Sequence, residues 1–353
     1  MLKPVCRVIS SEYLDKDVYL NIKAFYGAAG YEVMAPGGDR RRSADLLVML
    51  RGDNGDEQRD FRGEVHIYDY VKEYHVDWCE RFPLASCIRV ISLPSQYGPG
   101  PSPSTAPCSL ESTRLVWVNG YVPVIPALWV CRSNRKSRRC LHVSNYKSMN
   151  RDPYQEGLLT LILSGLVQAY GGNWDRVGVR AYPLSYRQAN HVLASASCCF
   201  GLMWPYQRGK TLSGRMWQAP LNGCFVISEK GTNILGCPGV VERDAFDQDT
   251  VSLQFSPAAC RQLAHEAAEF WEGHTRALAE ALGLRINLNL DGELNGERAL
   301  LMLWDLEFRL QRLNRRFLSL VIPPFRCARR YLARLARLLG IHPRQLAERR
   351  GGP

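Results

Sequence analysis

The chain is expected to be an α/β protein: two domains, each a parallel sheet covered by helices, then a helical, arginine-rich C-terminal region. Three features of the sequence point to it. Short continuous apolar runs such as Leu46-Leu47-Val48-Met49-Leu50 alternate with longer amphipathic stretches, which is how a sheet buried on both faces reads. That alternation pauses near residue 130, at a basic stretch over 132–139, and then begins again. Beyond residue 256 the strand signals fade and helical periodicity takes over. The boundaries implied are 1–130, 131–256 and 257–353, and 353 residues suit roughly two domains of about 150.

In the first domain, residues 5–10 read as a strand, 14–29 as a helix ending at Gly30, and 31–34 as a strand stopped by Pro36 and Gly37. Strands follow over 45–50 and 64–70, then a polar helix over 71–81 and an apolar strand over 87–93. Four prolines and two glycines within 98–107 mark a loop, and 115–118 and 122–129 read as extended. The second domain starts with a strand over 140–144 and a helix over 153–170, with Pro153 in its opening turn and Gly171-Gly172 as its stop. Residues 174–182 read as extended, 186–196 as a helix capped by Ser185, and 198–204 as a strand. A helix over 214–221 capped by Ser213 and a strand over 224–228 complete the domain. Helices are then expected over 257–282, 296–320 and 325–339.

Composition narrows the class. Hydrophobic residues make up 46% and charged residues 22%, the balance of a folded globular protein. The longest apolar run, 158–169, carries Gln168 and is too short to span a bilayer, and the N-terminus lacks the apolar region of a secretory signal, so a cytoplasmic location is expected. Twelve cysteines without a Cys-x-x-Cys read as reduced core residues, and the histidines form no His-Glu-x-x-His, so no metal site is expected. The net charge of +11 lies wholly in the last stretch, where residues 309–353 hold twelve arginines and one acid, Glu348. Arg326, Arg329, Arg330, Arg334 and Arg337 interleave with leucines at helical spacing. Between Arg309 and Arg350 the chain therefore suits an anionic membrane surface, with a solvated helix face as the bland alternative. Nucleic acid is disfavoured as its partner.

Common chemistries fail one by one. Gly209-Lys210-Thr211 resembles the end of a phosphate-binding P-loop, but Trp204 stands where its first glycine is needed. No Gly-x-Gly-x-x-Gly follows a strand, and no Gly-x-Ser-x-Gly elbow occurs. What remains is a basic, hydroxyl-rich cluster between a strand end and a helix start: Arg208, Lys210, Thr211, Ser213, Gly214 and Arg215. Open α/β sheets bind ligands at such junctions, where backbone N–H groups and an arginine fork suit a diphosphate. The bland reading makes Ser213 a helix cap and Arg215 a solvated charge.

At this stretch the sequence resembles the GT-B nucleotide-sugar glycosyltransferases, nearest to group 1 and spore-coat-type members. The carrying residues are the helix from Ser185, the strand Cys199-Phe200-Gly201-Leu202, and the run Ser213-Gly214-Arg215-Met216-Trp217-Gln218-Ala219-Pro220-Leu221-Asn222-Gly223 leading into Cys224-Phe225-Val226-Ile227-Ser228-Glu229. The resemblance implies two facing Rossmann-like domains, with the donor nucleotide-sugar, a substrate rather than a cofactor, in the second domain and the acceptor in the first. It implies a glycan or lipid-linked acceptor and closure of the domains over the substrates. Lys210 and Gln218 stand where many retaining members carry glutamates, which leaves stereochemistry open and keeps a catalytically silent scaffold that binds glycan or a partner protein as the alternative.

Site expectations follow. Lys210 or Arg208 would neutralise the departing diphosphate, and Gln218 would bond a ribose hydroxyl. Asn145 and Lys147 end the first strand of the second domain, where the family places donor phosphates; Lys147 otherwise reads as a solvated loop charge. Asp69 is a candidate general base or else a helix N-cap, with His66, Glu73 and His75 as weaker versions of the same assignment. Glu229, Thr232 and Asn233 follow the next strand end and are candidates for sugar or phosphate contact; Gly231-Thr232-Asn233 also reads as a plain turn.

Overall fold

The computed structural model describes residues 3–10, 15–36, 43–50, 59–70, 78–93, 114–131, 136–146, 152–288 and 294–317. The first sheet is built from β1 (Val5–Ser10), β2 (Glu32–Met34), β3 (Leu46–Leu50), β4 (Glu64–Tyr68), β5 (Cys87–Ser92) and β6 (Leu115–Asn119), all parallel, in the order β2-β1-β3-β4-β5-β6. The second contains β7 (Ser137–Val143), β8 (Val167–Tyr170), β9 (Ala196–Phe200), β10 (Phe225–Glu229) and β11 (Val240–Arg243), also parallel, in the order β11-β10-β9-β7-β8. Each sheet starts in its interior, steps to one side, then reverses, so each has a switch point: β1/β3 in the first, β7/β9 in the second.

Continuous apolar strands serve both faces at once. Leu46, Val48 and Leu50 pack with helix α1 (Lys16–Ala28), while Leu47 and Met49 pack on the opposite face with Trp78 and Phe82 of the short α2 (Trp78–Arg81) and its following turn. In the second sheet, Cys140 and Phe200 face α3 (Pro153–Leu163), while Leu141 and Cys199 face α4 (Tyr186–Ser195) and α5 (Arg215–Leu221). A fully buried leucine such as Leu47 contributes about 1.5–3 kcal/mol, and its replacement by alanine costs about 2–5 kcal/mol.

Three elements differ from the sequence expectation. The helix over 153–170 is two elements: α3 ends at Leu163, Gly165 turns the chain at φ +77°, and 167–170 become the edge strand β8. Residues 122–129 form no strand, because side chains take up their backbone groups. Thr275 Oγ1 accepts from Val124 N at 3.1 Å, and Asn21 Oδ1 accepts from both Ile125 N and the Trp129 indole at 2.9 Å. Residues 174–182 are a 3-10 turn (Trp174–Val177) and irregular chain. Strand β11 and the short α6 (Gln248–Val251) lie where only loop was expected.

Two long helices join the domains. In α7 (Pro257–Ala281), Trp271 and Leu278 share one core with first-domain residues, and Tyr121 N donates to His274 Nε2 at 3.3 Å. In α8 (Asn295–Phe317), Glu307 meets Lys16 of α1 at 3.6 Å and Glu297 pairs with Lys23, while Asp305 accepts from Ser185 at the start of α4. The residues expected to form the helix over 325–339, and the arginine tail beyond 317, lie outside the described residues. Among the described residues no helix is long and apolar enough to cross a membrane.

Candidate functional site

The C-terminal ends of the two switch points meet across a cavity of about 440 Å³. From the second domain come His142 and Val143 at the end of β7, Asn145 beyond it, Phe200 at the end of β9, and Ser213 to Arg215 leading into α5. From the first come Asp15 and Asp17 at the start of α1, with Tyr70 and Tyr121. An open α/β sheet exposes its strand ends at the switch point, so the topology explains why the cavity lies there.

The loop after β7 is shaped by one glycine. Gly171 has φ +138°, and a Cβ on it would sit 1.9 Å from Ser144 O, so no other residue fits. That contact lets Trp174 Nε1 donate to Ser144 O at 2.8 Å and Gly172 N to Asn145 Oδ1 at 2.7 Å. Asn145 thus lines the cavity while holding its own loop. His142 beneath it shares a bond with Phe200 O at 3.1 Å, and burial pulls its imidazole down to about 4, so it is neutral at pH 7.

Arg215 is the permanent cation lining the cavity among the described residues. Its Nε donates to Val143 O at 2.6 Å and its Nη1 to Gln218 Oε1 at 2.6 Å; the Gln218 amide in turn donates to Asp17 Oδ2 at 3.2 Å. These hydrogen-bond partners are neutral, and the Asp17 carboxylate acts on the guanidinium through space, from behind the Gln218 amide. Asp17 approaches from the other domain. Burial first, then the neighbouring Asp15, pushes its carboxyl up to about 6. Asp15 itself accepts from Tyr70 O–H at 2.7 Å. Gly214 has an ordinary helical φ of −54°, and a Cβ there would lie 3.5 Å from Asp17 Oδ2, an ordinary contact distance, which places this turn directly against that carboxylate.

The expected site residues fall into four groups. Asn145, Ser213, Gly214 and Arg215 line the cavity, and Gln218 joins it through Arg215 and Asp17. Ser213 Oγ accepts from Arg215 N at 3.3 Å, a capping role alongside its place in the wall. A second group is engaged in the protein's own framework. Arg208 grips Asp152 with both terminal nitrogens, at 2.9 and 2.6 Å, and donates Nε to the buried Glu229 at 3.2 Å. Glu229 also accepts from Met203 N at 2.7 Å. Thr232 donates to Glu229 O at 2.7 Å, and Asn233 closes its loop by accepting from Cys237 N at 2.7 Å. These four side chains are bonded to protein, and none of them lines the cavity, where sugar or phosphate contact was expected.

A third group stands away from the cavity lining. Lys210 is exposed, and Asp69 lies at the end of β4 with its N–H on Ile91 O at 2.9 Å. His66 is buried, sharing bonds with Tyr26 at 2.6 Å and Glu64 at 3.0 Å, and burial lowers its basicity. Lys147, Glu73 and His75 lie outside the described residues. Sequence reasoning overlooked Asp15 and Asp17, although the sequence carried a faint signal: Asp15-Lys16-Asp17 is an Asp-x-Asp at the start of the first helix. A second, Asp247-Gln248-Asp249, serves a different purpose, since Asp247 caps α6 through Thr250. Among the described residues no three or more His, Cys, Asp or Glu side chains converge as metal ligands.

Two parallel α/β domains, facing each other across a cavity at their switch points, define the GT-B class, and the chain has that fold. Solved structures agree. An α-glucosyltransferase in complex with UDP-glucose and DNA containing an abasic site is 11% identical, with 77% of this chain and 95% of that one covered at a TM-score of 0.51. The DNA-modifying enzyme β-glucosyltransferase, solved with and without uridine diphosphoglucose, is 12% identical over 79% and 97% at 0.50. T4 phage BGT in complex with UDP and Mn²⁺ is 8% identical over 79% and 97%, also at 0.50. At such identities the likeness is one of fold. No protein-family model and no curated protein sequence matches the chain.

Proposed function

We propose that the protein is a glycosyltransferase that moves a sugar from a nucleotide-sugar to a hydroxyl of a glycan or lipid-linked acceptor. The observation that carries this reading is the cross-domain set Asp17, Gln218 and Arg215 in the switch-point cavity. A cavity of about 440 Å³ lies within the range that holds such a ligand. In the proposed step the acceptor oxygen attacks the anomeric carbon and passes its proton to the Asp17 carboxylate. The bond from that carbon to the diphosphate oxygen breaks, and the nucleoside diphosphate leaves with the bonding pair. Arg215 and the backbone N–H groups around Ser213 and Gly214 receive the growing negative charge, in the role first expected of Lys210. One displacement with the base on the acceptor side inverts the anomeric centre.

The leaving group is stabilised in this scheme by Arg215 rather than by a metal held by the protein. Two observations support the donor's position: among the described residues the Arg215 side chain has neutral hydrogen-bond partners, and the aromatic residues Trp174 and Tyr146 border the loop after β7. The arginine tail after α8 would hold the enzyme on an anionic, cytoplasmic membrane face. Purified protein with a panel of nucleotide-sugars tests the reading: the expected result is donor consumption that needs an acceptor, survives chelation of divalent ions and gives an inverted product by NMR. Turnover by the Asp17→Asn variant at the wild-type rate would refute the assigned base.

A further inference from the structure

The cavity mouth carries an aromatic platform. Trp204 and Tyr206, on the turn after β9, stack with ring centroids 6.0 Å apart and planes 30° apart, and both line the cavity. Tyr206 is nonetheless 52% exposed. Its loop is firmly held: Met203 N and Arg208 are bonded to Glu229, Arg208 also grips Asp152, and Thr211 donates to Tyr70 O in the other domain. A large aromatic face kept exposed on an anchored loop is preorganised for a ligand surface.

The first-domain wall of the cavity has a definite charge. Asp15 and Asp17 are its lining carboxylates among the described residues, and Tyr70 lies between the domains with its hydroxyl on Asp15. Arg215 lies on the second-domain side, bonded to Val143 O and Gln218 and assigned to the donor, and His142 is neutral. Carboxylates accept hydrogen bonds from hydroxyls and repel phosphates. The C–H face of a pyranose carries weak positive charge, which suits the negative face of an aromatic ring. A base of a nucleic acid would also stack on Tyr206, but the string of phosphates attached to it requires lysines or arginines that the first-domain wall lacks among the described residues.

We infer that the space between the Trp204–Tyr206 platform and the Asp15–Asp17 wall is an acceptor subsite for an uncharged sugar ring, and that it rejects polyanionic acceptors. The inference rests on the transferase reading for the word acceptor, but the subsite itself is testable without turnover. Saturation-transfer NMR of the full chain with cellotriose and with maltotriose should show saturated ring protons for at least one. Tyr206→Ala should weaken that binding about tenfold or more, while Tyr206→Phe retains it. A short single-stranded oligodeoxynucleotide should show no Tyr206-dependent signal. Three results would overturn the subsite: no signal from either saccharide, a saccharide signal unchanged in Tyr206→Ala, or oligonucleotide binding lost in that variant. A thermal shift with nucleoside diphosphates, run in parallel, separates the two ideas. Donor binding without saccharide binding sinks the subsite alone, and saccharide binding without donor binding sinks the transferase reading alone.

Discussion

Arg208 and Arg215 belong to the same stretch of the second domain and have opposite surroundings. Arg208 is gripped by Asp152 and by the buried Glu229, with the ring of Tyr154 beneath its guanidinium at 4.9 Å. Arg215 donates to a backbone carbonyl and a glutamine amide. An arginine whose partners are carboxylates has its charge cancelled and stabilises structure. One held by neutral acceptors, with the Asp17 carboxylate acting on it only across Gln218, keeps more of its charge for a ligand. The sequence cannot separate the two, since both look like basic residues at a strand-to-helix junction; what separates them is Asp152, which lies 56 residues from Arg208 in the chain.

The largest effect that would sharpen the contrast is expected at Asp17, the carboxylate that Arg215 faces through Gln218. Asp17→Asn should lower kcat about 10²- to 10⁴-fold, as loss of a general base does. The wild-type rate should rise with pH through about 6, where the carboxyl loses its proton, and the variant should lack that limb. The same shift affects stability in the opposite sense. The native carboxyl, at about 6 instead of its ordinary 3.8, binds more protons than the unfolded one, so stability falls as pH climbs between those values. Asp17→Asn should therefore melt higher than wild type at pH 7, a trade of stability for function checked by calorimetry.

Next comes Arg215→Ala, expected to lower kcat about 10²- to 10³-fold, as removal of one charge-stabilising donor does. Steady-state kinetics would break the comparison if Arg208→Ala produced the same loss with no loss of stability. Arg208→Ala should instead act through folding. It strands Glu229, which is 0% exposed, and about 3–5 kcal/mol is the usual cost of an uncompensated buried charge. That is a fall in Tm on the order of 10 °C in a thermal melt. The smallest effect belongs to Lys210→Ala, where an exposed residue outside the cavity lining should change stability by less than about 0.5 kcal/mol and leave turnover intact.

Much of the framework was legible before any coordinates, for a clear reason. A parallel sheet buried on both faces needs apolar runs, and Leu46–Leu50, apolar at every position, could serve little else. The split of 153–170 was harder, because Leu158 to Ile162 and Val167 to Ala169 form one apolar pattern and only Gly165 interrupts it. Residues 122–129 have strand composition, yet Asn21 and Thr275 from distant helices take their hydrogen bonds, and no local pattern reveals that competition. Arg215 was legible because its neighbours in sequence are its neighbours in the cavity wall. Asp17 was not, since an acid in the first turn of a helix ordinarily needs no explanation beyond the helix dipole. Its partner Gln218 lies 201 residues away.

The central claim is that Arg215 receives the donor's diphosphate while Asp17 acts only on the acceptor. Thermal shift against nucleoside diphosphates and nucleotide-sugars, with wild type, Arg215→Ala and Asp17→Asn side by side, tests it most directly. A ligand at a hundredfold excess over its Kd adds about 2.7 kcal/mol to the stability of the folded protein. The expected result is a shift in wild type and in Asp17→Asn that disappears in Arg215→Ala. A shift that persists in Arg215→Ala, or that no nucleotide produces in wild type, would contradict the claim.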